Sequence, residues 1–189
     1  MTVHFFQYFS VSKNFGAAIN NACSLIINDN DWVCLTDMDT MFLRPDAGKQ
    51  VYDIVERYKS EYDLIGCTTN RLAQPYQLYN KCFSEERDIS EHIKIANELH
   101  NNFYGVVEPL NRVVAGCFML FPITVWRHYL FQENTPCFDS IFSNEVISGG
   151  GEIGIARGLY QFHLYRMWSD NPINDTRHLF DTKKVLSLT

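Results

Sequence analysis

Apolar residues along the chain fall into two regimes: short runs that are apolar throughout, and longer stretches that are apolar at every third or fourth position. The aromatic-rich run Val3 to Phe9, "VHFFQYF", predicts a first strand. Between Phe15 and Ile27, Ile19, Cys23 and Ile26 recur at helical spacing, and the polar "NDND" that follows ends that helix. "WVCLT" is continuously apolar, the pattern of a strand covered on both faces. Past Pro45, the residues Val51, Ile54, Val55, Tyr58 and Tyr62 form one helical stripe with Asp46 as its N-cap, and "DLIGCTT" predicts a third buried strand. Strand, helix, strand, helix, strand is the order expected of a parallel α/β sheet.

The pattern changes over residues 70–111, where polar and aromatic residues mix without alternation. Only "DISEHIKIANELHNNF" carries a helical stripe there, through Ile89, Ile93 and Ala96, so this stretch reads as an inserted cover or binding segment. "VVAGCFMLFPITVW", Val113 to Trp126, returns to strand; Pro122 ends it and a helix starts near Ile123. "FDSIFSNEVISGGGEIGIARGLYQFHLYRMW" then predicts a helix, a glycine turn and a last strand carrying His163. The three glycines match neither phosphate-loop nor dinucleotide-binding spacing, so their task is a helix C-cap and a tight turn with positive φ. Beyond Ser169 the composition turns polar, which predicts a loosely packed tail over 169–189.

Composition narrows the classes. A chain of 189 residues, 46% hydrophobic and 20% charged, fits one globular domain with a proper core. Sixteen basic against 22 acidic residues give a net charge of −6 without any Lys/Arg-rich run, so the electrostatic footprint of a nucleic-acid binder is missing. The six cysteines are scattered, form no CxxC pair and mostly sit in apolar strings, which reads as small core residues in a reducing compartment. There is no signal-peptide pattern and no apolar run of about 20 residues. The expectation is a cytoplasmic protein, with peripheral contact at the inner membrane surface left open and no obligate protein partner.

Candidate chemistry begins with Asp37 and Asp39, which follow the apolar strand in "DWVCLTDMDTMF". In an extended backbone, residues i and i+2 project to one side, so the two carboxylates converge. Their repulsion is relieved by a hard divalent cation, Mg²⁺ or Mn²⁺, which can also grip a diphosphate; the competing reading is a solvated turn. The position favours the metal, because ligands of open α/β sheets bind beyond the carboxyl ends of strands. His163 is either a satisfied core histidine or a further imidazole ligand. Asp139 and Glu145 are candidate buried general bases, whereas Glu85, Glu86 and Asp88 read as a solvated helix start. Lys13 and Arg71 either approach phosphates or are simply solvated, and no Ser/His/Asp or Cys/His nucleophile arrangement is evident.

Four segments together resemble the GT-A glycosyltransferases, close to the family-two-like group and its short bacterial and phage forms. "KNFGAAINNA" is similar to that family's Asn-x-Gly helix start, and "DWVCLTDMDTMF" to its strand ending in a DxD motif. "VVAGCFMLFPITVW" is similar to its acceptor-side strand, and "GGGEIGIARGLYQFHLYR" to its last glycine turn, strand and metal-binding histidine. The resemblance implies a single GT-A domain over 1–168, with a mostly parallel central sheet flanked by helices and 70–111 as an acceptor-side cover. It implies Asp37, Asp39 and His163 as metal site, with Asp37, Asp39, Lys13, Asn14 and Gly16 on the donor side and Ala115 and Gly116 on the acceptor side. The family's usual acidic pair is replaced here, and Asp139 falls nearest to it as catalytic base. The family's Asp-Asp-x-Ser nucleotide-gripping segment is absent, which leaves base recognition to residues such as those of "QYFS".

The implied activity is metal-dependent, inverting transfer of a sugar from a nucleotide-diphosphate donor to a hydroxyl of a glycan or lipid-linked acceptor, as in surface polysaccharide synthesis. Tyr76, Tyr79 and Tyr104 would either stack on sugar faces or belong to local core. A nucleotidyltransferase also uses paired acids, although its further acid and basic phosphate motif are not found. A non-catalytic sugar- or partner-binding module on the same fold is the remaining alternative.

Overall fold

The computed structural model describes residues 1–165 and 167, so the expected domain end at 168 and the tail over 169–189 lie outside the described residues. The first half runs β1 (Val3–Gln7), α1 (Phe15–Cys23), β2 (Trp32–Thr36), β3 (Thr40–Phe42), α2 (Ala47–Tyr58) and β4 (Leu64–Thr69). The second half runs α3 (Ile89–Phe103), β5 (Val107–Pro109), β6 (Phe118–Pro122), α4 (Ile123–Tyr129), α5 (Phe138–Ser148) and β7 (Ile153–His163).

Alternation along the central strands sorts their side chains onto two apolar layers. Val33 and Leu35 of β2, with Met119 and Phe121 of β6, pack against Ile19 and Cys23 of α1, Trp126 of α4 and Phe142 of α5. Trp32 and Cys34, with Phe118 and Leu120, face the other way onto Val51, Ile54 and Val55 of α2. Helices therefore cover both faces, which is why Trp32 to Leu35 are apolar and buried at every position. A third, smaller cluster joins Ala96 and Leu99 of α3 to Tyr160 and Phe162 of β7.

The strand order is β1-β2-β6-β4-β7-β3, with β5 also paired to β7. β1 and β2 are parallel, as are β4 and β7, and β6 runs antiparallel to both β2 and β4. The four strands β1, β2, β4 and β7 thus share one direction, and β3, β5 and β6 oppose it. The chain is an α/β fold with a central sheet between helices, and its antiparallel ladders were not legible in the sequence.

Several local expectations change. The segment 113–117 is not strand: Val114, Ala115 and Gly116 donate their N–H groups to Ser143 Oγ, Gln77 Oε1 and Asp139 Oδ2, so side chains take the donors that a ladder would use. Helix α1 ends at Cys23 rather than near Ile27, with Leu25 and Ile27 exposed. Asp46 stands at the N-cap position of α2 without capping it, because its carboxylate accepts from Arg44 Nε and Nη2, both at 2.9 Å. Asp88, by contrast, caps α3 through Ser90 N. Gly150, at φ 84°, makes the expected turn after α5. Of the cysteines, Cys23, Cys34, Cys67 and Cys117 are buried core residues, while Cys82 and Cys137 are exposed.

Candidate active site

β1, β2, β4 and β7 finish at one edge of the sheet, and β6, running the other way, begins there. The residues just past those ends therefore meet. Tyr8, Asp37, Arg71 and His163 line a cavity of about 330 Å³, together with Ala115 and Gly116 ahead of β6 and Asp139 in the first turn of α5.

Asp37 and Asp39 converge through a turn, not as alternate residues of one extended strand. β2 stops at Thr36, and Thr40 closes the turn by donating its N–H and Oγ1–H to the Asp37 carbonyl, at 3.3 and 2.7 Å. β3 then pairs with β7 so that Thr40 stands opposite His163, and Leu164 N donates to the Asp39 carbonyl at 2.8 Å. That register brings together Asp39 and a histidine from the far end of the chain.

His163 is fixed from both its backbone and its ring. Asn70, just beyond β4, accepts from His163 N at 2.7 Å and donates its amide N–H to His163 O at 3.2 Å. The ring Nδ1 lies 2.8 Å from the Arg71 carbonyl, which can only accept. Nδ1 therefore carries a proton, and when the ring is neutral Nε2 presents a lone pair. That lone pair faces Asp39 Oδ1 at 3.2 Å, and both atoms are buried without a hydrogen-bond partner.

The two facing atoms are relieved either by a proton on Nε2, which makes an ion pair with Asp39, or by a metal cation that both ligate. Ligand atoms of Asp37, Asp39 and His163 all lie within 4.8 Å of one another, and two carboxylates with one imidazole form a donor set suited to Mn²⁺ or Mg²⁺. The residues present fit a divalent cation.

The electrostatics agree with that fit. Burial, and then the nearby Asp39 carboxylate, raise the Asp37 pKa, against the downward pull of the Met38 N–H, His163 and Tyr8. Asp139 is also raised, chiefly by burial, although its oxygens accept from Gly116 N at 2.8 Å and Ser140 N at 2.7 Å. Tyr8, packed edge-on against Phe15 and Phe138, has its hydroxyl driven up by burial and by Asp37.

The donor-side residues divide. Asn14 Oδ1 accepts from Ala17 N, capping α1, and from Asn134 N at 2.9 Å. A side chain at Gly16 would run into the Gln132 carbonyl, so α1 lies directly against that backbone. Both residues hold the chain leading into α5; Phe15, between them, lines the cavity, and Lys13 is exposed.

The tyrosines of 70–111 serve local structure. Tyr76 donates to the Val113 carbonyl at 2.7 Å, Tyr79 to Glu98 Oε2 at 3.0 Å, and Tyr104 to Asp53; none of the three lines the cavity. Within 70–111 only residues 71–74 do so, while α3 packs on β7. Glu145 is exposed and lies outside the cavity, which leaves the half-buried Asp139 as the candidate base that lines it. Tyr8, Phe15 and Asn70 were not singled out individually from the sequence. The only signal for Asn70 was its place directly after a strand expected to be buried, at the ligand-binding edge.

No protein-family description matches the sequence, and no curated protein matches it either. Among solved structures, the fold is similar to a UDP-glucose pyrophosphorylase from Acinetobacter baumanii, with 8% identity and a TM-score of 0.42. The match covers 92% of this chain and 62% of that one, so the chain spans less than two thirds of that protein's length. Likeness at this level carries no inference about activity.

Proposed function

We propose that the protein is a metal-dependent glycosyltransferase of the GT-A type, moving a sugar from a nucleotide-diphosphate donor to an acceptor hydroxyl with inversion. The observation that carries the reading is the pair of buried atoms without a hydrogen-bond partner, Asp39 Oδ1 and His163 Nε2, beside Asp37, which lines a cavity that also holds the half-buried Asp139. Asp37, Asp39 and His163 would hold Mn²⁺ or Mg²⁺, which when bound would supply charge neutralisation for a departing diphosphate.

Asp139 is the base. Gly116 N and Ser140 N fix its carboxylate, and the residue lines the cavity. Its burial-raised pKa brings its basicity closer to neutral pH, where it accepts the acceptor's hydroxyl proton more effectively. Ala115 and Gly116 form the acceptor-side floor, and the rings of Tyr8, Phe15 and Phe138 offer the donor an apolar wall. Asn14 and Gly16 act on the donor side through the loop they hold, while Lys13, exposed and outside the cavity lining, would meet only a part of the donor that extends beyond it. The acceptor is a glycan or a lipid-linked saccharide. Among the described residues no helix is long and apolar enough to cross a membrane.

The test is release of nucleoside diphosphate from a panel of UDP-, GDP- and TDP-sugars with Mn²⁺, and of CMP from a CMP-sugar, followed by mass analysis of glycosylated acceptors. Metal-dependent sugar transfer is expected, and Asp139→Asn should slow it by about 10²- to 10⁴-fold while donor binding persists. Consumption of a nucleoside triphosphate and a sugar 1-phosphate, with pyrophosphate released, would overturn the reading in favour of nucleotidyl transfer. Binding of sugar without turnover of any donor would leave a non-catalytic module.

A further inference from the structure

Arg71 is only 4% exposed, which removes the solvated-surface reading that its sequence context allowed. Its Nε donates to the Tyr165 carbonyl at 3.0 Å and its Nη1 to the Ser84 carbonyl at 3.1 Å, and its guanidinium lies 4.3 Å from the centre of the Phe83 ring. These partners fix the orientation of the group without neutralising it. Among the described residues no carboxylate stands within ion-pair distance, and Glu85 acts on it only as a longer-range charge. Buried charges are ordinarily paired. Burial accordingly pulls the Arg71 pKa down, as expected of a cation short of a partner.

The missing counter-charge has a place to come from. Arg71 lines the same cavity as Asp37, Asp139 and His163, and no other Lys or Arg does so among the described residues. Two carbonyls occupy two of its five N–H donors and leave the rest, Nη2 included. Its own backbone carbonyl anchors the His163 ring, so the guanidinium and the metal-ligand group are tied to one rigid corner of the sheet.

Charge balance points the same way. Asp37, Asp39 and Asp139 bring three negative charges when ionised, and a divalent cation leaves one of them uncompensated. A diphosphate entering that site would be repelled; with Arg71 the site is neutral before the ligand arrives. A planar fork of donors also suits phosphate oxygens better than a point charge does.

We propose that Arg71 binds the diphosphate of a nucleoside diphosphate in this cavity, across from the Asp37–Asp39–His163 group. The inference rests on the proposed function for the identity of the ligand. Its test uses inorganic pyrophosphate as probe, titrated calorimetrically into the Mn²⁺-saturated chain.

Arg71→Gln should weaken pyrophosphate binding by about tenfold or more, and Arg71→Lys by less, with Mn²⁺ affinity held within about threefold in both. Unchanged pyrophosphate affinity in a folded Arg71→Gln chain would overturn the proposal. Should that variant fail to fold, wild-type crystals grown with Mn²⁺ and pyrophosphate decide. Phosphate oxygens within hydrogen-bond reach of Arg71 Nη2 support it, and pyrophosphate elsewhere, or none bound, overturns it. Arg71-dependent pyrophosphate binding in a chain that turns over no sugar nucleotide would sink glycosyl transfer alone. Sugar transfer with Arg71-independent pyrophosphate binding would sink this inference alone.

Discussion

Asn70 has no charge and touches no ligand atom, yet its amide holds the backbone of His163 on both sides, and it is only 1% exposed. Groups that orient a metal ligand commonly matter to affinity nearly as much as the ligand itself. Asn70→Ala should therefore lower Mn²⁺ affinity by about 10- to 100-fold, read by calorimetry. A role confined to stability would lower the melting temperature and leave the Mn²⁺ affinity of the folded fraction unchanged. At this scale the sequence was readable where the chemistry is conspicuous. Carboxylates and an imidazole set in apolar runs stand out, and Asp37, Asp39 and His163 do meet. An amide after a strand, or an aromatic such as Tyr8 among many aromatics, has too many ordinary explanations to be singled out.

The elements show why the "NFG" start of α1 matters without reaching the metal ligands. Asn14 Oδ1 accepts from Asn134 N, Gly16 lies under the Gln132 carbonyl, and Asn20 donates to Phe131 O while accepting from Phe131 N and Trp126 Nε1. The helix is thus stitched to the segment that leads into α5, and through it to Asp139. Gly16→Ala forces that contact apart and should cost about 1–3 kcal/mol in urea unfolding, with reduced turnover in the folded fraction. A neutral result would mean that the segment shifts freely and does not position α5. The long helices and the core strands were legible because their periods span enough residues. β3 and β5 have three residues each, too few to show a period, and both pair with β7. Segment 113–117 was misread as strand because its apolar side chains are buried while its N–H groups go to Ser143, Gln77 and Asp139.

Over the whole molecule, alternation of strands and helices announced an α/β sheet. The antiparallel course of β6 was not visible, because a connection's sequence does not reveal the edge to which it returns. That reversal sets the Ala115–Gly116 backbone beside Asp37 and Asp139, and it concentrates half-buried acid at one edge. The consequence is a pH dependence of stability. Asp37 and Asp139 are raised in the folded chain, so above the ordinary carboxylate range, about pH 4, the folded state holds protons that the unfolded state has released. Stability from these groups therefore falls as pH rises through their raised values. Asp31, Asp46 and Asp88 are lowered and act oppositely, but their contribution is full above the ordinary range and is lost only below it. Metal-free protein should melt at a lower temperature at neutral pH than somewhat above pH 4, and Asp37→Asn should shrink that difference; an unchanged difference would contradict the assignment. Mn²⁺ should reverse the effect, adding about 2.7 kcal/mol at a hundredfold excess over its Kd.

The most direct measurement is calorimetric titration of Mn²⁺ into the wild-type chain, Asp39→Ala and His163→Ala at neutral pH, with folding of each checked by circular dichroism. One site is expected in the wild type, and its loss or a severe weakening in both folded variants. Equal Mn²⁺ affinity in all three would contradict a metal centre at Asp37, Asp39 and His163.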